Sequence, residues 1–271
     1  MYNFKNMKLK IVVLLLNIIL FASCREDVNK EGPQDIALEK SISINSDSIS
    51  ANQKWMEAIN DKNIELLSSL YTENAMVLSA NGVDLANRNE ILELVPKSDF
   101  VVKSVSTTKR IEASDSYDYE IGSFINKDDG LAKHLIIWNT SNNEDKRELE
   151  FIMETNGSNV DLKEIDKQRA NWMALCNAHN AKSLIENVYS ENTMYYNRGR
   201  LLVGRNDLVK EYAYMNNKQY QLTLNPILVE SVSETIVYEF GQCEGSYNGK
   251  YILVWQKNAQ GIWQVLFDSN I

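Results

Sequence analysis

Trp55-Met56, then Tyr71-Thr72-Glu73-Asn74-Ala75-Met76, then Arg88-Asn89 come back in order as Trp172-Met173, Tyr189-Ser190-Glu191-Asn192-Thr193-Met194 and Arg205-Asn206. Between and beyond these, Gly82 answers to Gly199, Tyr119-Glu120-Ile121-Gly122 to Tyr238-Glu239-Phe240-Gly241, and Trp138 to Trp255. The partners lie 117 to 119 residues apart. A near-constant offset that pairs two of only five tryptophans with two others marks a duplicated unit. The ends are read the same way, Glu154-Thr155-Asn156 against Asp268-Ser269-Asn270, at an offset of 114. Leu149 is then set against Trp263.

Working outward from the motif, each unit spans about 100–110 residues, enough for one independent core. The units are expected at 47–157 and 162–271. Each opens with a helical pattern: Ile165, Arg169, Trp172 and Cys176 fall four, three and four apart, with Asp161 placed to cap. The first unit matches less regularly through Ile49, Trp55, Met56 and Ile59. A polar break and a short second helix follow, over 64–70 and 181–188. After Tyr-x-Glu-Asn the pattern turns to strands, expected at 75–79, 100–111, 117–125, 131–139 and 149–154. Their counterparts are 194–198, 219–231, 235–242, 250–256 and 263–268, with short helices over 91–94 and 208–212. Asp129-Gly130, Asn248-Gly249 and Gln260-Gly261 supply the turns, and Asn-Gly between two β-rich runs is the strongest short hairpin signal. Helices first and antiparallel strands after give an α+β unit.

The second unit carries Trp172, Tyr189, Asn192, Gly199, Gly204-Arg205, Gly245, Tyr251, Trp255, Gly261, Trp263 and Asp268. With that spacing it resembles the nuclear transport factor two-like superfamily, in particular its SnoaL-like and ketosteroid-isomerase-like branches. The first unit departs from the pattern, with Asn87 for Gly204 and Leu149 for Trp263. The resemblance implies two tandem cone-shaped domains, each a curved antiparallel sheet wrapped around its first helix with a pocket at the open end. Tyr251-Ile252-Leu253-Val254-Trp255 and Leu135-Ile136-Ile137-Trp138 are apolar on both faces, whereas a strand with one wet face would alternate. One face covers the helices, and the other needs a second partner. The resemblance supplies the sister unit, packed sheet to sheet as an intramolecular pseudo-dimer.

At the start of the chain, Lys5, Lys8 and Lys10 precede the apolar run Ile11–Ala22, too short for a comfortable bilayer span. Leu20-Phe21-Ala22-Ser23-Cys24 resembles a bacterial lipobox. Residues 1–23 then read as a lipoprotein signal peptide, with lipidation at Cys24. Arg25-Glu26-Asp27 resembles the surface-export signal of lipoproteins in the Bacteroidetes group. These readings place the protein at the cell envelope, anchored in the outer membrane by lipid and facing outward. Residues 24–46 are polar and aperiodic and read as a flexible tether. The net charge is −9, and removal of residues 1–23 takes three lysines and no acids, leaving −12. An acidic chain without a basic cluster is not a nucleic-acid binder. Cys176 and Cys243 both lie in the second unit. They can pair in an exported chain or pack as small apolar groups, and the first unit has no cysteine at either place.

Candidate chemistry rests on few residues. Glu120 and Glu239 sit in apolar strands, where a dry carboxyl group can act as a base. Alternation with Tyr119/Ile121 and Tyr238/Phe240 turns them to solvent if the aromatic residues face the cone, and that orientation is expected. His134 aligns with Tyr251 near the pocket rim, and His179 falls in the polar break. Tyr195, Tyr196, Asn197, Tyr251 and Trp255 are the expected ligand-binding set, suited to a small apolar or sugar-like molecule. No phosphate loop, nucleophile elbow or metal-ligand spacing occurs, so no cofactor or metal is expected. The function that follows is non-catalytic binding of a small molecule or partner protein. The rival is a proton-transfer enzyme, an isomerase, cyclase or dehydratase, working on a hydrophobic substrate in the second unit.

Overall fold

The structure is a computed structural model and describes residues 49–79, 85–155, 157 and 160–271. The signal segment, the tether, Cys24, Gly82 and Asn156 lie outside the described residues. Among the described residues no helix is long and apolar enough to cross a membrane.

The first unit runs α1 (Ala51–Asn60), α2 (Ile64–Ser69), β1 (Tyr71–Ser79), β2 (Leu85–Asn87), α3 (Arg88–Leu94), β3 (Val102–Ser114), β4 (Tyr117–Asn126), β5 (Leu131–Asn139) and β6 (Lys146–Glu154). The second repeats it as α4 (Lys163–Asn177), α5 (Ala181–Val188), β7 (Tyr189–Asn197), β8 (Arg200–Val203), α6 (Arg205–Glu211), β9 (Leu222–Ser233), β10 (Ile236–Gly245), β11 (Lys250–Lys257) and β12 (Trp263–Asn270). Each unit is thus a cone-shaped α+β fold with one six-stranded sheet. The strand orders are β2-β1-β6-β5-β4-β3 and β8-β7-β12-β11-β10-β9, the same path twice. Each sheet is antiparallel except for one pair, β1 with β6 and β12 with β7, which makes it mixed. The short strands β2 and β8 escape a reading based on hydrophobic runs because they are only three and four residues long.

Local chemistry explains the motif. Ser50 and Gln53 form a capping box on α1, and Asn63 and Asn180 cap α2 and α5. The two copies solve the start of α3 and α6 differently. Asn87 caps α3 with its side chain, while Gly204 enters α6 at φ 90°, which suits glycine. Tyr71 and Tyr189 turn inward, and their hydroxyls accept Trp55 Nε1 at 2.9 Å and Trp172 Nε1 at 2.8 Å. The repeated tryptophan and tyrosine are therefore one hydrogen-bonded pair, and the Glu-Asn that follows the tyrosine is exposed at a register shift in β1 and in β7.

Trp55, Leu67 and Phe124 anchor the core inside the first cone, and Trp172, Leu184 and Trp263 that of the second. A third apolar cluster joins the outer faces of both sheets. Tyr119, Ile121, Leu135 and Phe151 meet Tyr238, Phe240, Ile252 and Phe267 there, and the Phe151 and Phe267 rings pack at 4.7 Å. Lys133 bridges to Glu230 across the same boundary. Cys176 and Cys243 are buried and free, and burial raises both thiols to about 12.

Candidate functional site

The buried sheet-to-sheet face decides where the glutamates point. Tyr119 and Ile121, like Tyr238 and Phe240, are taken up between the sheets. Glu120 and Glu239 therefore point into the cones, 1% and 0% exposed. The expected outward orientation is corrected: it assumed one wet face, and both faces of these strands are dry.

Glu239 is fully engaged. Arg169, on α4 one turn before Trp172, donates to it from Nε at 2.7 Å and Nη2 at 2.8 Å. Tyr251 Oη and Trp255 Nε1 each donate at 2.8 Å. A bidentate guanidinium with two further donors occupies the lone pairs of the carboxylate. Glu120 is held by different residues. Asn52, at the place of Arg169, donates at 2.6 Å, Thr107 at 2.8 Å and Trp138 Nε1 at 2.9 Å, and His134 Nε2 lies at 3.5 Å. Burial works to raise the Glu120 pKa, but His134 and the neutral donors outweigh it and bring it down to about 2. His134 is fully buried beside Glu120, and the expectation of a rim position is corrected.

The glycine of Tyr-Glu-x-Gly makes this arrangement possible. Gly122 pairs with His134, and Gly241 with Tyr251. A Cβ on Gly122 would lie 2.4 Å from His134 Nε2, and one on Gly241 2.6 Å from the Tyr251 ring. The ring that reaches the glutamate thus lies over a glycine in both copies.

A second buried carboxyl group occupies each last strand. Asp268 accepts Tyr189 Oη and Tyr212 Oη, both at 2.5 Å, and burial raises its pKa to about 6. Tyr71, the counterpart of Tyr189, donates to Glu150 at 3.5 Å. Glu150 also takes Arg147, whose guanidinium lies 4.3 Å from the centre of the Trp55 ring and donates to Asn52 at 2.6 Å. The partner of Asp268 is therefore Glu150, four residues before Glu154. The alignment of Glu154 with Asp268, and of Leu149 with Trp263, is corrected: Leu149 and Phe267 hold equivalent places opposite Met76 and Met194. Both true equivalences lie at an offset of 118, like Tyr71 with Tyr189, and the bulges between Ile137 and Trp138 and between Val254 and Trp255 match as well; the offset of 114 aligned the strand ends instead.

A cavity of about 450 Å³ opens in the second unit, between the ends of β7 and β12, the helical turn 212–216 and the β10–β11 hairpin. Tyr195 and Asn197, two of the five residues named for ligand binding, line it. Tyr196 points the other way, between the sheets, and Tyr251 and Trp255 are committed to Glu239. Their assignment to the pocket is corrected, since alternation along β7 puts neighbouring tyrosines on opposite faces. Tyr214, Tyr220 and Tyr247 complete the aromatic wall. The clustering of tyrosines over 212–220 was the signal for Tyr214 and Tyr220. Tyr195 Oη donates to Asn270 at 2.6 Å and the Asn197 amide to the Asn270 carbonyl at 2.8 Å, which ties the two strand ends together. Among the described residues no group of three or more His, Cys, Asp or Glu side chains is placed to hold a metal ion.

No family model and no curated protein matches the chain. Solved structures do resemble parts of it. A NTF-2 like protein of unknown function from Shewanella oneidensis MR-1 is 14% identical over 40% of this chain and 95% of its own, with a TM-score of 0.36. A ketosteroid isomerase-like protein from Erwinia carotovora atroseptica SCRI1043 is 17% identical over 41% and 95%, with a TM-score of 0.35. A NTF2-like protein from Cytophaga hutchinsonii ATCC 33406 is 12% identical over 38% and 92%, with a TM-score of 0.34. Each match spans about the length of one of the two units.

Proposed function

We propose that the protein is a lipid-anchored envelope protein whose second unit binds a small molecule at the mouth of its cone without transforming it. The carrying observation is the tyrosine-walled cavity of about 450 Å³, lined by neither Glu239 nor Glu120. That volume is in the range of small-molecule sites, and aromatic faces beside amides suit apolar or sugar-like rings. The candidate bases are unsuited to proton transfer from a substrate, since Glu239 is 0% exposed and already accepts four hydrogen bonds. Anchoring rests on the lipobox-like run that ends in Cys24. A Cys24→Ser protein that stays in the membrane fraction would remove it.

One observation favours a proton-transfer enzyme as the second reading. Asp268 is the register partner of the cavity-lining Tyr195, and its pKa of about 6 suits a general base. A thermal-shift screen of apolar and sugar-like compounds separates the readings. Binding predicts compounds that raise the melting temperature, lose the effect in Tyr214→Ala and are recovered unchanged. A compound consumed by the parent but not by Asp268→Asn would favour the enzyme. A screen in which nothing shifts the parent would remove the binding site.

A further inference from the structure

We propose that the cavity of the second unit selects a ring compound bearing one carboxylate, and that Arg198 holds the carboxylate. The inference rests on the cavity being a binding site. Arg198 lines the cavity and makes no ion pair among the described residues. The other charged side chain in the lining, Glu211, is already neutralised by Arg200. Among the side chains of the lining, Arg198 therefore carries the one charge without an ion-pair partner, and it is positive. Arg198 is close enough for that charge to act on the hydroxyls of Tyr117 in the first unit and Tyr247 in the second.

The backbone gives an independent reason to single out Arg198. Arg198 and Gly199 are the central residues of the tight turn between β7 and β8, with φ of 45° and 85°. A turn with both central residues in the left-handed region favours Asn-Gly, Asp-Gly or Gly-Gly. Arginine has no local hydrogen bond to offset the crowding of its Cβ there. A cation held at a strained rim position in front of an aromatic wall is placed for a ligand rather than for the turn. Tyr214 and Tyr220, edge to face at 5.3 Å, offer ring faces for the body of the ligand. A planar guanidinium can take a carboxylate through two parallel hydrogen bonds.

The test is calorimetry on the full chain at low salt with two matched pairs, benzoate against benzamide and glucuronate against glucose. One acid is expected to bind at least about tenfold tighter than its neutral partner, and the pair that shows the difference tells an aromatic from a sugar ligand. Arg198→Asn relaxes the turn, so its melting temperature should hold or rise, while the preference for the acid should shrink to less than about twofold. Equal binding of acid and neutral partner, or a preference that survives Arg198→Asn, overturns charge selection and leaves the binding site standing. Failure of all four compounds to bind at millimolar concentration overturns both.

Discussion

Tyr196 of the second unit donates its hydroxyl to Glu148 of the first, across the face where the two sheets meet. The same hydroxyl accepts the Gly199 N–H at 2.8 Å, so the first unit holds the turn that carries Arg198. Glu148 also takes Asn139 at 2.8 Å and Tyr117 at 3.4 Å and is only 6% exposed. Tyr196→Phe removes one donor from a buried carboxylate and the acceptor for Gly199. A loss of about 1–3 kcal/mol is expected from the urea midpoint with an unchanged slope. Binding of any cavity ligand should weaken as well, because the rim turn loses its tether. A variant as stable as the parent, with unaltered binding, would show that the contact is incidental.

The two copies hold the equivalent glutamate with different partners, and this can be tested by exchange. Arg169→Asn leaves Glu239, 0% exposed, without a cation and should cost about 3–5 kcal/mol. Tyr251→His supplies the residue that stands beside Glu120 in the first copy. In the double variant the second cone carries the Asn52 and His134 pair, and the loss should be smaller than the sum of the single losses by about 1 kcal/mol or more. Additive losses would mean that the two positions do not act as one site.

The fold was legible in the chain because duplication supplied its own alignment, and because the Trp55–Tyr71 and Trp172–Tyr189 pairs are local in sequence and rigid in geometry. The orientation of Glu120 and Glu239 was not legible. Period-2 alternation assigns faces only when one of them is wet, and here β4 and β10 are buried on both sides around the two glutamates. Arg169 was the missed clue. An arginine at core spacing with Ile165, Trp172 and Cys176 implies a buried anion, since a guanidinium is rarely enclosed unpaired. The Arg147–Glu150 pair was hidden for another reason. Its counterparts are Val265 and Asp268, so the cation moved from helix to strand between copies and no offset could pair the two arginines.

The packing of the sheets should make the two units unfold together. Phe151 and Phe267 are each 0% exposed and meet at 4.7 Å. Phe151→Ala should cost about 3–5 kcal/mol, as for other large core truncations. Because the lost contacts belong to both units, a single denaturation transition should move as a whole rather than split in two. Two resolved transitions in the parent would show that the shared face contributes little coupling.

The carboxyl groups of the two copies should respond to pH with opposite signs. Asp268 has a folded pKa of about 6 against an ordinary 3.8, so the folded protein binds its proton more tightly than the unfolded chain. Its contribution is fully present below pH 3.8 and is lost as pH rises through about 6, a loss of about 3 kcal/mol in all. Glu120 has a folded pKa of about 2 against 4.5, so its contribution is present above pH 4.5 and is lost as pH falls toward 2, again about 3 kcal/mol. Asp268→Asn keeps a carbonyl for Tyr189 and Tyr212 but cannot ionise. Its stability relative to the parent should rise between pH 4 and pH 7 and stay level above. Glu120→Gln should behave in reverse, with its deficit shrinking as the solution is acidified below pH 4.5. Urea midpoints at pH 3, 4, 5.5 and 7.5 measure both. A difference from the parent that does not change with pH would mean that neither carboxyl group is held by its buried neighbours as the geometry requires.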